Sequence, residues 1–329
     1  MTPLHSNEHL RRRDFLVRTA KAGGAIAVAG AAALALRDRS SPTGKEMARN
    51  FALQDFSVPA AGKRMSIVTG SDRVRTLDRA LQALGGLDQF IRPGDRVVLK
   101  ANVAFASPPA LGATTNPELL REMVRRCLAA GASSVVVTDN PINDPQSCFA
   151  LSGIARAAES AGARVWLPDA ASFQPTTVSG GRLIRDWPLL AAPFQGATKL
   201  IGLAPVKDHH RSGASMSLKN WYGLLGGRRN VFHQDIHEII FELACLVRPT
   251  LVILDGTDTM MANGPTGGSL EDLKATNTMI VSTDPVAADA FGATLLGKTP
   301  ADLPSLGKAA AVGLGTLDYE SLKPGRSAA

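Results

Sequence analysis

The stretch RVVLKANVAFASPPALGATTNPELLREMVRRCLAAGASSVVVTDNP, from Arg96 to Pro141, carries two hydrophobic rhythms. Val97, Val98 and Leu99 form a short apolar run behind the turn pair Pro93-Gly94, and Val135, Val136 and Val137 form another. Short β-branched runs bounded by turn residues read as strands buried on both faces. Between them Asn116-Pro117 opens an amphipathic pattern that runs to Ala130 and stops at Gly131. An Asn cap, a Pro that needs no N–H donor and a terminal Gly are helix punctuation. Strand, helix and strand in this order define a βαβ unit and parallel pairing.

The alternation continues on either side. MSIVTG, from Met65, reads as a strand, followed by a helix from about Thr76 to Leu84; a further helix near Phe149 to Ala161 ends in Gly162. KLIGLAPV, PTLVILDG and NTMIVSTDP supply three more strands of the same kind. The expected fold is therefore α/β: a mostly parallel sheet flanked by helices, as one large domain or two closely packed α/β lobes. A chain of 329 residues can bury such a core, and 45% hydrophobic against 20% charged residues excludes a disordered chain.

The N-terminus directs attention outside the cytoplasm. Arg11, Arg12 and Arg13 precede Asp14-Phe15-Leu16 and an Ala/Gly-rich apolar stretch from Ala22 to Leu36. Basic region, short apolar region and the small-x-small site Ala33-Leu34-Ala35 form the order of a secretory signal. Arg12-Arg13 resembles a twin-arginine export motif, which implies a translocase partner and folding before export. The competing reading is a basic arm or an uncleaved anchor. The apolar stretch is shorter than the ~20 residues a bilayer requires, so no span is expected in the mature chain. The expected organisation is a signal peptide at 1–35, a linker at 36–62 and the α/β domain at 63–329. Loss of residues 1–35 removes five cations and two carboxylates, which lowers the formal charge from +7 to +4. With only 5% aromatics, that modest excess gives no nucleic-acid surface.

Three cysteines, Cys127, Cys148 and Cys245, are too few and too scattered for an iron–sulfur cluster. Gly292 to Thr299 spells GATLLGKT, which fits the formula of a phosphate-binding loop. That loop needs a strand before it and a helix after it, whereas DPVAADAF looks helical and Pro300 falls where the second helix would start. Gly297 reads as a helix terminator, and no nucleotide site is expected.

In open α/β sheets ligands bind beyond the carboxyl ends of the strands. The polar residues after the apolar runs are therefore the candidates: Lys100 and Asn102; Asp139 and Asn140; Lys207, His209 and His210; Asp255. Asp284, directly before Pro285, reads better as a helix cap, and Asp139-Asn140-Pro141 fits turn chemistry equally well.

One segment concentrates the chemistry. KDHHRSGASMSLKNWYGLLGGRRNVFHQDIH, Lys207 to His237, holds every histidine beyond residue 10. His209 and His210 follow a strand end, and as neighbours their side chains should diverge. Lys207, Lys219, Asn220, Arg228 and Arg229 could hold an anion together with Lys100 and Asn102, with Gly223, Gly226 and Gly227 admitting backbone amides to it. A solvated basic loop is the alternative. A helix from Asn230 to Val247 would carry Ile236, Ile239, Ile240 and Leu243 on one face and Asp235, Glu238 and Glu242 on the opposite one. On it His233 and His237 would lie four apart, the spacing of a shared metal, or would simply be hydrogen-bonded at a boundary.

LKANVAF, TNPELLREMVRRCLAAGASSVVVTDNP, LKNWYGLLGGRRNVFHQDIH, LDGTDTMMANGPTGG and STDPVAADAFG occur in the order found in the domain-of-unknown-function 362 family, which the chain resembles from about Lys63 to Gly297. Many relatives add a ferredoxin-like cysteine cluster that this chain lacks. The resemblance implies a shared α/β module and a common site, and no settled activity. Two functions stand as expectations. One is a periplasmic enzyme, an isomerase or hydrolase, acting on a small anion with His209, His210, Lys207 and Asp255 as catalytic groups and a divalent metal at His233 and His237. The other is a non-catalytic protein that binds or delivers a metal or anionic cofactor.

Overall fold

The computed structural model describes residues 50–329. The signal-peptide reading of residues 1–35 and the first part of the linker reading lie outside the described residues. A single large sheet runs through them, with strands β1 (Met65–Thr69), β2 (Arg96–Lys100), β3 (Ser134–Thr138), β4 (Arg164–Trp166), β7 (Lys199–His209), β9 (Leu251–Met260), β10 (Leu273–Ser282) and β11 (Gly325–Ala328). Their spatial order is β11-β1-β10-β9-β7-β2-β3-β4, and β8 (Gly213–Ser215) hangs on β7. β5 (Phe173–Thr176) and β6 (Trp187–Leu190) make a separate two-stranded ribbon.

The parallel core β9-β7-β2-β3-β4 results from crossovers that contain helices, such as Pro117–Ala129 between β2 and β3. Asn116 caps that helix, its side chain accepting from the Glu118 N–H. The expectation that NTMIVSTDP is another parallel strand is corrected. β10 pairs antiparallel with both β9 and β1. Between Met260 and Leu273 there is only a loop with one 3₁₀ turn, too short for a crossover, so the chain doubles back.

Each central strand is buried on both sides. Leu251 and Ile253 point into one apolar layer with Val97, Leu99 and Leu119; Val252 and Leu254 point into the other with Leu243, Val286 and Leu306. This period of two selects one sheet between two helical layers for the described residues, not two lobes. Where the linker reading can be followed, from residue 50, the chain is docked: Phe56 is 1% exposed and its carbonyl accepts from Thr250 Oγ1.

Two helix readings change. The helix expected at Phe149–Ala161 is two short ones, Pro145–Leu151 and Ile154–Ser160, split by Gly153 at φ +73°. The helix expected from Asn230 begins at Ile236; Arg229–Asp235 is a 3₁₀ turn. Glu242, assigned to the solvent face, is 1% exposed and accepts backbone N–H bonds from Arg182, Leu183 and Ile184. Asp284 caps the helix Pro285–Leu295 as expected, accepting from the Val286 and Ala287 N–H groups. That helix contains the first four residues of GATLLGKT, and Gly297 lies beyond its end at φ +68°.

Candidate active site

The carboxyl ends of β2, β3 and β7 converge on a cavity of about 750 Å³. Its floor is an ion pair: Lys100, 0% exposed, donates to Asp139 Oδ1 at 2.7 Å. Asp139 also accepts from the Val103 and Asn140 N–H groups. Gly223 passes directly above, and a Cβ there would collide with Asp139 Oδ1 and lie 2.9 Å from Lys100 Nζ. The glycine thus serves the ion pair and not an incoming anion. Gly226 likewise presses on the Phe173 ring.

Counting donors separates the cations. Lys100 spends its three protons on Asp139, the Ala101 carbonyl (2.7 Å) and Asn220 Oδ1 (3.1 Å). Lys207, 1% exposed, donates to Asn102 Oδ1 (3.3 Å) and to the Ala113 (2.6 Å) and Pro265 (3.3 Å) carbonyls. The Arg229 guanidinium reaches four backbone carbonyls, those of Tyr222, Leu225, Asn140 and Pro141. Its expected role as a bidentate anion fork is therefore corrected: the fork staples two loops together. Among the described residues Lys219 Nζ has no hydrogen-bond partner, and it sits 4.1 Å from the Tyr222 ring centroid. Lys219 lines the cavity with ammonium protons to spare.

Four cations against one carboxylate make an electrostatically unbalanced interior. Burial pushes Lys219 down to about 7, and the charges of Lys207, Arg229 and Lys100 add to the effect. Burial also pushes Lys207 to about 7. Lys100 is lowered by burial, against the pull of Asp139.

His209 and His233 are held in opposite tautomers. His209 Nδ1 lies 3.2 Å from both the Arg211 and Ser212 amides, which can only donate, so its proton is on Nε2. Burial, reinforced by Lys219, lowers His209 to about 3. Tyr222 spends its hydroxyl proton on the Arg229 carbonyl at 2.5 Å, so its oxygen accepts from His233 Nδ1 at 3.1 Å; the Asn230 carbonyl, 3.2 Å from that same nitrogen, also accepts. His233 therefore carries its proton on Nδ1 and leaves Nε2 basic. Burial and Lys219 lower its pKa too. The His209 and His233 rings stack with centroids 6.2 Å apart. His210 stacks on His209 at 5.1 Å, so the expected divergence of these neighbours does not occur.

Several expected residues are elsewhere. Asp255 faces Arg73 (2.8 Å), which also pairs with Asp258 (2.6 Å), in a separate small cavity; β9 continues to Met260, so Asp255 is not at a strand end. Arg228 is exposed and does not line the cavity. His237 does not line it either: its Nδ1 is buried without a partner, and burial and Lys308 depress its pKa. The 3₁₀ turn before Ile236 breaks the continuous α-helix on which the metal spacing depended. Among the described residues no group of three or more His, Cys, Asp or Glu side chains is arranged to hold a metal ion. The donor set thus does not fit the expected divalent metal.

Sequence reasoning passed over Tyr222 and the loop Asn263–Gly267 that closes the cavity. The run Asn263-Gly264-Pro265-Thr266-Gly267, dense in turn residues, was the available signal, and a Cβ at Gly264 would collide with the Asp208 carbonyl oxygen.

An α/β protein with a cationic cleft at the ends of parallel strands is the class defined by this geometry. The chain belongs to the family described as a domain of unknown function (DUF362), whose profile matches residues 97–294. It is 27% identical over 254 residues to the thylakoid-associated protein sll1697 of Synechocystis sp., covering 73% of this chain and 74% of that one. The lactate racemase apoprotein from Thermoanaerobacterium thermosaccharolyticum aligns with a TM-score of 0.41 at 12% identity, over 72% of this chain and 58% of that one. This chain therefore spans less than two thirds of the length of that solved structure. No helix among the described residues is long and apolar enough to cross a membrane.

Proposed function

We propose that the protein is an enzyme that binds a small anionic substrate through Lys219, removes a proton from it and returns it through His233, and holds the substrate oxygen with the N–H of His209. The observation that supports this reading is the coexistence of one uncommitted ammonium with imidazoles of opposite tautomer in one cavity. His233 Nε2 is the base. His209, neutral down to about pH 3, is a hydrogen-bond donor through Nε2–H and stabilises developing negative charge on a substrate oxygen. This division suits proton abstraction next to a carbonyl or carboxylate, an isomerase-type step. Among the described residues the side chains do not assemble a ligand set for a metal ion. The twin-arginine translocase would carry the folded protein to the periplasm, a step supported by the pattern around Arg12-Arg13.

The test is proton exchange in deuterium oxide. Carboxylic acids that bind are followed by NMR for loss of the C–H signal next to the acid group. Wild type should exchange at least one of them, and His233→Gln should stop the exchange while the acid still binds. If no bound acid exchanges, the enzymatic reading is wrong and a binding or delivery protein remains.

A further inference from the structure

The cavity is far larger than the anion that one ammonium can hold. A carboxylate takes about twice the ~30 Å³ share of a liquid water, which leaves most of the 750 Å³ unfilled. A second cavity of about 430 Å³ adjoins it, with Asn140, Ile142, Tyr222, Arg229 and His233 lining both. The second cavity has a different character. Phe173 and Pro141 supply apolar wall, Gly226 and Gly227 leave it open, and Arg229 is its only formally charged side chain. The four N–H bonds by which Arg229 holds backbone carbonyls turn that charge toward the protein. At the shared mouth Ile142 is 61% exposed, a large apolar side chain facing solvent beside two cavities.

We propose that the second cavity is the tail site of the same ligand, so that the substrate class is an amphipathic anion. Its acid group sits at Lys219, and its apolar body passes His233 and lies over Ile142 and Phe173. The inference rests on the anion reading above and adds a size and polarity to it. It places the atoms next to the acid group beside His233 Nε2, while the tail fixes the molecule's direction in the cleft. Cavities of this combined size bury drug-sized ligands, with a few polar groups setting orientation and apolar walls supplying affinity.

Isothermal titration of the full chain with straight-chain carboxylates from acetate to decanoate tests this. Affinity should rise about three- to fourfold per methylene once the chain is long enough to enter the second cavity. Asn230→Trp, on an exposed residue that lines only the second cavity, should flatten that rise. Ile142→Asp should flatten it as well, and as an exposed position it leaves folding intact. Acetate binding with no dependence on chain length would overturn the tail site and leave the anion site standing. Decanol binding as tightly as decanoate would overturn the shared-ligand inference, because the apolar groove would then act without the acid group. Failure of every carboxylate to bind would overturn the anion reading itself.

Discussion

Replacing Lys219 by Met removes the one ammonium lining the cavity that has no hydrogen-bond partner among the described residues. A charge-assisted hydrogen bond is worth about 1.5–3 kcal/mol, so anion affinity should fall about 10- to 150-fold. Folding should not suffer. Met keeps a stem over Tyr222, and a cation repelled by Lys207, Arg229 and Lys100 disappears. Lys207→Met is the contrast. It would strand Asn102 Oδ1 and the Ala113 and Pro265 carbonyls, at about 1–3 kcal/mol for each buried group. Calorimetric titration with short carboxylates and inorganic phosphate, together with thermal melts, reads both quantities. In wild type the free amine titrates at about 7, and a bound anion raises that value. Binding then takes up a proton, and affinity declines toward tenfold per pH unit above pH 7. The slope should be shallower in Lys219→Met. Wild-type affinity in Lys219→Met, with an unchanged pH slope, would refute the donor count.

Other outcomes derive from the same geometry. His209 is charged in the unfolded chain below about 6.5 but in the folded one only below about 3. Its contribution to stability is complete above pH 6.5 and is lost as the pH falls toward 3. Denaturant melts should show about 2 kcal/mol lost from this group at pH 5, and His209→Gln should remove that slope. Gly223→Ala must separate Asp139 from Lys100, and breaking a buried pair costs about 3–5 kcal/mol, visible as a much lower melting temperature or insoluble protein. Arg12→Lys with Arg13→Lys should retain the protein in the cytoplasm on cell fractionation; unimpaired export would rule out the twin-arginine reading.

The parallel core was legible because its information is local. Val97–Leu99, Val135–Val137 and the capped helix from Pro117 state their structure within a few residues. The reversal of β10 was not legible, because an apolar run buried on both faces reads the same in either direction. The position of the cleft also came from strand ends, which brought Lys100, Asn102 and Lys207 together around Asn220 and set His209 in the same cavity. Their roles did not. Whether a lysine is free depends on carbonyls that arrive from Ala113 and Pro265, far away in the chain. His233 and His237 looked like a pair because a one-dimensional spacing assumes an unbroken α-helix, and the Tyr222 bond to His233 belongs to a 3₁₀ turn instead.

The anchoring of Lys100, Lys207 and Arg229 to oxygens of the fold has a consequence for ionic strength. A basic patch of mobile surface lysines loses its attraction within a Debye length of about 8 Å at physiological salt. Here the charges are walled in and cannot swing outward to be hydrated, so dissolved ions screen them poorly. The cleft should therefore keep its preference for anions in concentrated salt, as a field set during folding and present before any ligand arrives.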